Sequence, residues 1–537
     1  MTPRNGSQAK PVVFAWLALS VVMIGLAWPT IRDTGLDYDE AVYGHLTKDF
    51  LTGRHCEQHM PGSTSVELGR RPFPVFVQGY LGAVKCWMLL PSFTLFGTTV
   101  TVMRLTMQMW GLLGILLLMF WTRRVLGEVA AILVGCLTAL DPAFFFPTIC
   151  EWGAFVPSFV CRCAGLLFLT VWWQDRRARW MWLAGVALGI GFFNKIDFLV
   201  VLFALALAAL ATRPGPILRS LRLDWRQWAA GAVAFLVTAS LMVVSLARWF
   251  QTLLEIPSGA RTDELTIKFN MAKAMLDGSY FYRLMESGGM FKRMFENAAP
   301  VWSPFGLVLG LAVVALVVFI VQGERKKTRG WPMFLLVGLL TAIAGVWLLP
   351  DAVRIHHALL VYPFPQLIIA AVVVRLWKIS PDKPLMRQAG RIVTSVAVAS
   401  LMFGHIAATW RTQQFIATSG GRGQWSTALT QFASEMRHRD DVMLVSLDWG
   451  FHEQLSFLTE SPQRFEPTWN LQEGKPVSLL PDPRCYYLIH PPEFSLFSYG
   501  ETYLQAARAA DPSLIVESRT NREGRVVFQY FRFAPPR

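Results

Sequence analysis

Apolar runs long enough to cross a bilayer recur along this chain, and no other feature limits its folding as much. They fall near 11–29, 102–121, 129–147, 154–173, 180–193, 197–212, 228–249, 301–322, 331–349, 355–377 and 391–409. A helix needs about 20 apolar residues to span a hydrocarbon core roughly 30 Å thick. No water is available there, so each backbone N–H and C=O must be satisfied within the helix. The expected architecture is a polytopic α-helical membrane protein with about eleven transmembrane helices. Composition agrees, with 53% of residues hydrophobic and 16% charged, against about 25% charged in soluble domains. The net charge of +14 does not point to nucleic acid, because the basic residues sit in short clusters between apolar runs.

Those clusters set the expected topology. They are Arg4/Lys10, Arg123/Arg124, Arg176/Arg177/Arg179, Arg213/Arg219/Arg222/Arg226, Arg325/Lys326/Lys327/Arg329 and Arg375/Lys378/Lys383/Arg387. All fall on one side if the run 75–96 does not cross, and all but the first would break the positive-inside rule if it did. That run carries Gln78, Lys85 and Pro91, so a re-entrant or interfacial helix is expected there. The N-terminus is then cytoplasmic and the C-terminus extracytoplasmic, in the cytoplasmic (inner) membrane. The first run resembles a signal sequence but lacks a small-residue cleavage site, which predicts an uncleaved first helix.

Four polar pieces then share the outer side: a loop over 30–101, a turn at Cys150–Gly153, a loop over 250–300 and the chain beyond about 410. The expected domains are a transmembrane unit over 1–410 and a small soluble α/β unit over 411–537. In the latter, Asp441–Leu447, Cys485–His490 and Val526–Phe533 read as strands, and Gln424–Arg437 and Tyr499–Ala510 as helices. None of the seven cysteines has zinc-ligand spacing, and Cys56 and Cys86 share one outer region where a disulfide is compatible.

Chemistry concentrates in the first outer loop. It opens with Asp37, Asp39 and Glu40 and closes on Arg70-Arg71-Pro72. A carboxylate beside a membrane can take a proton from an acceptor, and cations can hold a phosphate leaving group. Tyr38, Val42, Leu46 and Phe50 form one helical stripe, and Asp39 and Glu40 sit in its first turn, where anions suit the helix dipole. Further candidates on the same side are Glu151 at a helix mouth, Lys195 with Asp197 in a tight turn, and Arg354, His356 and His357 before the tenth span. A solvated loop, a local Lys–Asp pair and plain interfacial anchors are the non-functional readings of these groups.

DYDEAVY, the later RRP, LFGTTVTVMRL, GFFNKIDFL and RIHHALLVYPFP occur in this order. Over residues 10–410 they resemble the GT-C family of membrane glycosyltransferases, near the protein O-mannosyltransferase and aminoarabinose transferase branch. The resemblance implies a catalytic Asp at Asp39 followed by Glu40. It also implies a phosphate-holding cation at Arg71 with Arg70 beside it, a mouth carboxylate at Glu151, the turn lysine at Lys195, and a cation among Arg354, His356 and His357. Val42 stands where the aminoarabinose branch has a phosphate-holding Arg, leaving Arg70 or Lys85 as the replacement.

The function expected from these readings is transfer of a sugar from a polyprenyl-phosphate-linked donor to a lipid, glycan or protein acceptor. Asp39 acts as base in a direct, inverting displacement. No cofactor is required, although Asp37-x-Asp39 is an alternative divalent-cation site. The competing classes are a transporter or flippase of lipid-linked sugars, and an inactive scaffold.

Overall fold

The computed structural model describes residues 10–56, 62–150, 153–254, 261–290, 293–322, 330–349, 352–378, 384–437, 439, 441–460, 465–467, 482–496 and 499–534. The chain begins with α1 (Lys10–Asp33), then turns polar through α2 (Tyr38–Thr52), strands β1 (Thr64–Glu67), β2 (Pro72–Gln78) and β3 (Leu81–Gly82), and α3 (Val84–Phe96). Apolar helices follow: α4 (Val100–Val125), α5 (Glu128–Leu140), α6 (Pro142–Phe145), α7 (Phe155–Asp175), α8 (Ala178–Asn194) and α9 (Phe198–Thr212), then the amphipathic α10 (Pro214–Leu223) and the long α11 (Trp225–Leu254). Two polar helices, α12 (Arg261–Leu276) and α13 (Tyr280–Glu286), precede α14 (Phe305–Gln322), α15 (Gly330–Leu348), α16 (Ile355–Ala358), α17 (Phe364–Trp377) and α18 (Pro384–Ser419). The chain ends in α19 (Ala428–Met436), β4 (Met443–Ser446), α20 (His452–Leu458), β5 (Phe465–Pro467), β6 (Cys485–Ile489), α21 (Tyr499–Ala510), β7 (Ile515–Thr520) and β8 (Val526–Arg532).

Among the described residues eight helices are long and apolar enough to cross a membrane, and up to ten if each bent pair is one span. This is a multi-pass membrane protein. The bends lie at Asp141, where α5 turns by 69° into the segment beginning at Pro142, and at Arg213, where α9 turns by 105° into α10. Both follow from proline at a first helical position, which ends the preceding helix. The expected span over 180–193 is α8, whose 17 residues lie at the short end of the range for a crossing. The run 75–96 also differs from expectation. Only α3 is helical, and Phe73, Val75, Phe76 and Val77 form a strand instead, as β-branched and aromatic residues favour.

β1, β2 and β3 form an antiparallel sheet. Its first hairpin closes through Gly69 (φ 59°) and Arg70 (φ 66°), with the Leu68 N–H donating to the Arg71 carbonyl at 2.9 Å. Two successive positive φ angles define the tight turn that matches strand twist. The C-terminal sheet has the order β5-β4-β6-β8-β7, parallel across β5, β4 and β6 and antiparallel beyond. Alternate residues along its strands serve two cores. Leu444, Leu488 and Phe528 pack with α19 and α20, and Val445, Tyr487 and Phe531 with α21. The described cysteines are free, and Cys86 is buried with its Sγ 3.6 Å from the Tyr43 carbonyl, so no bridge to Cys56 forms.

Two buried arginines join these parts. From α4, Arg104 donates to Glu40 Oε1 at 3.0 Å and Oε2 at 2.8 Å, and to the carbonyls of Ile31, Thr34 and Gly35. Its forked donors thus clamp the end of α1 to the start of α2. From α7, Arg162 donates to the carbonyls of Leu359, Leu360 and Tyr362, fixing the segment after α16. Gly35 completes the junction. Its N–H donates to the Trp425 carbonyl at 2.9 Å, and a Cβ there would lie 2.3 Å from the Ser426 oxygen.

Arg104→Met leaves Glu40 buried without its counter-charge, so it should cost about 3–5 kcal/mol. A lowered thermal unfolding midpoint in detergent is the expected result, and an unchanged midpoint contradicts the clamp.

Candidate active site

The first turn of α2 is built by its own sequence. Asp37 is the N-cap, its carboxylate accepting from the Asp39 N–H at 3.1 Å, and Glu40 returns the bond to the Asp37 N–H at 3.3 Å. Burial, followed by the neighbouring Asp39 and Glu40, holds the Asp37 carboxyl well above the usual carboxylate range. Cap and clamp together engage Asp37 and Glu40, both buried. Asp39 differs from both. Its side chain keeps 16% of its exposure and lies 3.8 Å from the Arg354 guanidinium. The first helical turn favours a negative charge at this position.

Arg354 heads a short segment that is held in place from several sides. The Ile355 N–H donates to the Tyr280 hydroxyl at 3.1 Å. His357 Nδ1 lies 3.2 Å from Asp197 Oδ2, and the Lys195 ammonium contacts the same oxygen at 3.0 Å. The His356 ring packs against His357 with centroids 4.1 Å apart. It also closes on Gly153, where a Cβ would come within 3.1 Å of Nδ1. The turn carrying Lys195 is pinned in turn to the loop after β2, because the Ile196 N–H donates to the Tyr80 carbonyl and Lys195 bridges Leu81. One contiguous run therefore links Asp39, Arg354, His356, His357, Asp197 and Lys195.

The C-terminal region closes the other side of α2. The Trp449 ring packs on Tyr38 with centroids 3.9 Å apart. Lys48 donates to the carbonyls of Phe457 and Thr459, each at 2.7 Å, and Arg54 to those of Ser456 and Thr459. These cations satisfy the unpaired carbonyls at the end of α20 and suit its dipole. Burial, with Arg54 nearby, pushes the Lys48 ammonium down to about 8. Glu453 of α20 is buried and accepts from the Tyr38 hydroxyl, and burial pushes its carboxyl up to about 7.

Residues 83–243 match the family described as dolichyl-phosphate-mannose-protein mannosyltransferase. The architecture is similar to the Archaeoglobus fulgidus oligosaccharyltransferase in its apo form, with a TM-score of 0.53, 12% identity, and coverage of 86% of this chain and 65% of that one. The chain of the Archaeoglobus fulgidus AglB complex with an inhibitory peptide and a dolichol-phosphate is similar at a TM-score of 0.51, 12% identity and the same coverage. This chain has the GT-C fold. ArnT from Cupriavidus metallidurans, bound to undecaprenyl phosphate, aligns over 97% of this chain and 98% of its own at 16% identity and a TM-score of 0.48. No curated protein matches by sequence.

Within the GT-C fold the sequence candidates separate. Asp39, Arg354, His356, His357 and Lys195 come together. Glu40 sits beside Asp39, but both of its oxygens face Arg104, so it is placed to hold the turn. Arg70 and Arg71 are exposed at the hairpin tip beside Gly53, at the far end of α2 and roughly 20 Å along its axis from Asp39. Lys85 is buried over the Tyr43 ring at 4.5 Å. Glu151 lies outside the described residues. No group of three His, Cys, Asp or Glu side chains suited to a metal occurs among the described residues, and Asp37 accepts the Asp39 N–H as the helix cap.

Arg104, Arg162, Trp449 and Glu453 are contributions that sequence reasoning missed. The Arg of the VMRL stretch was a usable signal, because a lone charge inside an apolar run is costly unless paired. Two cavities adjoin α2 and α3. One of about 760 Å3 lies among Lys48, Thr99, Ser434 and Phe457, and an apolar one of about 570 Å3 lies among Phe96, Leu105, Met109 and Trp110.

The raised Glu453 carboxyl gives a signed pH dependence. The native chain binds its proton more tightly than the unfolded chain, so this stabilisation is present below about 4.5 and lost as pH rises through about 7. Glu453→Gln should leave the unfolding free energy nearly unchanged at pH 5 and raise it at pH 8 by on the order of 3 kcal/mol. Equal shifts at both pH values contradict this.

Proposed function

We propose that the chain is a glycosyltransferase that moves a sugar from a polyprenyl-phosphate donor to an acceptor at the extracytoplasmic face of the cytoplasmic membrane. The observation carrying this reading is the partly exposed Asp39 carboxylate at a helix start, 3.8 Å from Arg354 and continuous with His357 and Lys195. The likeness of 83–243 to protein mannosyltransferases and the GT-C fold point the same way.

In this reading Asp39 takes the proton from an acceptor hydroxyl or amine. The acceptor lone pair attacks the anomeric carbon from the side opposite the phosphate, and the bond from that carbon to the phosphate oxygen breaks. Its electron pair leaves with the polyprenyl phosphate, so the anomeric configuration inverts. Arg354 presents a planar donor fork to phosphate oxygens, and Lys195 with His356 and His357 lines the charge developing on the departing group. The apolar groove between α3 and α4 fits a prenyl tail. Arg70 and Arg71 take no part in this step. The inner-membrane location and the topology rest on the basic clusters.

Asp39→Asn should lower transfer by about 10²–10⁴, and Arg354→Ala by about 10²–10³. The measurement is mass spectrometry of envelope lipids, glycans and surface proteins from cells holding equal amounts of wild-type or variant protein. Loss of one hexose- or pentose-sized modification is expected, and unchanged glycoconjugates in Asp39→Asn cells overturn the reading.

A further inference from the structure

The contact between α20 and α2 combines apolar packing through Phe457 with several buried polar side chains. His452, Glu453, Gln454 and Ser456 are all buried, and α20 is anchored at both ends, by Trp449 on Tyr38 and by Lys48 and Arg54 on its final carbonyls. Gln454 also donates to the Leu36 carbonyl at 3.4 Å. Within this frame Glu453 accepts from the Tyr38 hydroxyl. Its Oε2 is buried with no hydrogen-bond partner among the described residues. Packing alone would place an apolar side chain there, since an unsatisfied buried carboxylate is costly. Tyr38 immediately precedes Asp39, so whatever Glu453 does to Tyr38 acts on the turn that carries the proposed base.

We propose that Glu453, supplied by the C-terminal region, is a positioning residue of the active site: through Tyr38 it fixes the first turn of α2, and its charge sets the basicity of Asp39. This rests on the reading of Asp39 as the base. The groups facing Glu453 are Tyr38, Asp39 and His45 on α2, with His45 turned toward Asp49 at 3.4 Å. On the C-terminal side its sequence neighbour is His452, and Asp448, just before α20, pairs with His490 at 3.2 Å. α19 meets α20 through the apolar cluster of Leu429, Phe432 and Met436. When Glu453 is ionised, the Tyr38 hydrogen bond becomes charge-assisted and stronger. The added negative charge also raises the proton affinity of Asp39, making it the better base. Protonated Glu453 gives up both effects. The C-terminal region thereby gates catalysis by the pH on its own side of the membrane.

The test uses membranes from cells expressing the full chain, with their endogenous donor and acceptor, and follows product by mass spectrometry at pH 6 and pH 8. Wild type should be at least about threefold faster at pH 8 than at pH 6. Glu453→Gln should run near the slower rate at both, losing the pH dependence while the protein stays folded and abundant. Glu453→Ala separates roles. A purely structural Glu453 would be rescued by the isosteric Gln and not by Ala, whereas here Gln and Ala share the flattened profile. Difference infrared spectroscopy of the purified chain should show a carboxyl titrating near neutrality that disappears in Glu453→Gln. A Gln variant that keeps the wild-type profile overturns the proposal if Asp39→Asn is inactive. An active Asp39→Asn instead overturns the underlying reading of the base.

Discussion

The Arg104–Glu40 ion pair is the constraint on which the rest of the site depends. It is buried at the point where the first membrane helix gives way to α2, and every Arg104 N–H group it offers has an acceptor. A buried charge pair of this kind adds little net stability compared with apolar packing, but losing one partner is severe. Its consequence is geometric. α2 leaves α1 at a fixed angle, its first turn is capped by Asp37, and Asp39 is left as the carboxylate of the three with remaining exposure. Arg162 has the corresponding role on the other wall, where its bonds to the carbonyls of 359–362 hold the segment that carries Arg354 and the two histidines.

The site therefore has three origins within one chain. α2 provides the carboxylate, the 354–357 segment and the 194–197 turn provide the cations, and the C-terminal sheet region provides α20 as a lid on the opposite flank of α2. The last of these is joined by side chains that cap α20 and by a glycine-tight crossing at Gly35. Such a crossing couples the C-terminal region to the membrane bundle through backbone contact and makes it part of the site's architecture.

Much of this was legible in the sequence, for identifiable reasons. The apolar runs located most of the long helices, because bilayer thickness sets one length scale, although eight to ten of the described helices qualify as spans against the eleven expected. α2 announced itself by its stripe and by the first-turn carboxylates Asp39 and Glu40. The gathering of Asp39, Lys195 and the Arg354 segment followed from a resemblance in the order of motifs, and spacing alone could not have supplied it. What was not legible involved long-range pairing. Arg70 and Arg71 read as phosphate ligands by position in the loop, but two successive positive φ angles put them on a hairpin tip away from Asp39. Glu40 read as a catalytic partner, and only Arg104, 64 residues on, shows its second use. α20 is too short and too polar to reveal which of its side chains are buried. β2 was hidden inside an apolar run, where periodicity does not distinguish a buried strand from a helix.

The most direct measurement of the central claim is a structure of the full chain with a polyprenyl phosphate bound. The account predicts the phosphate against the Arg354 guanidinium, within hydrogen-bond reach of Lys195 or the histidines, with the Asp39 carboxylate open to the acceptor side. A phosphate held instead at the Arg70–Arg71 hairpin tip, with Asp39 remote from it, would contradict the account.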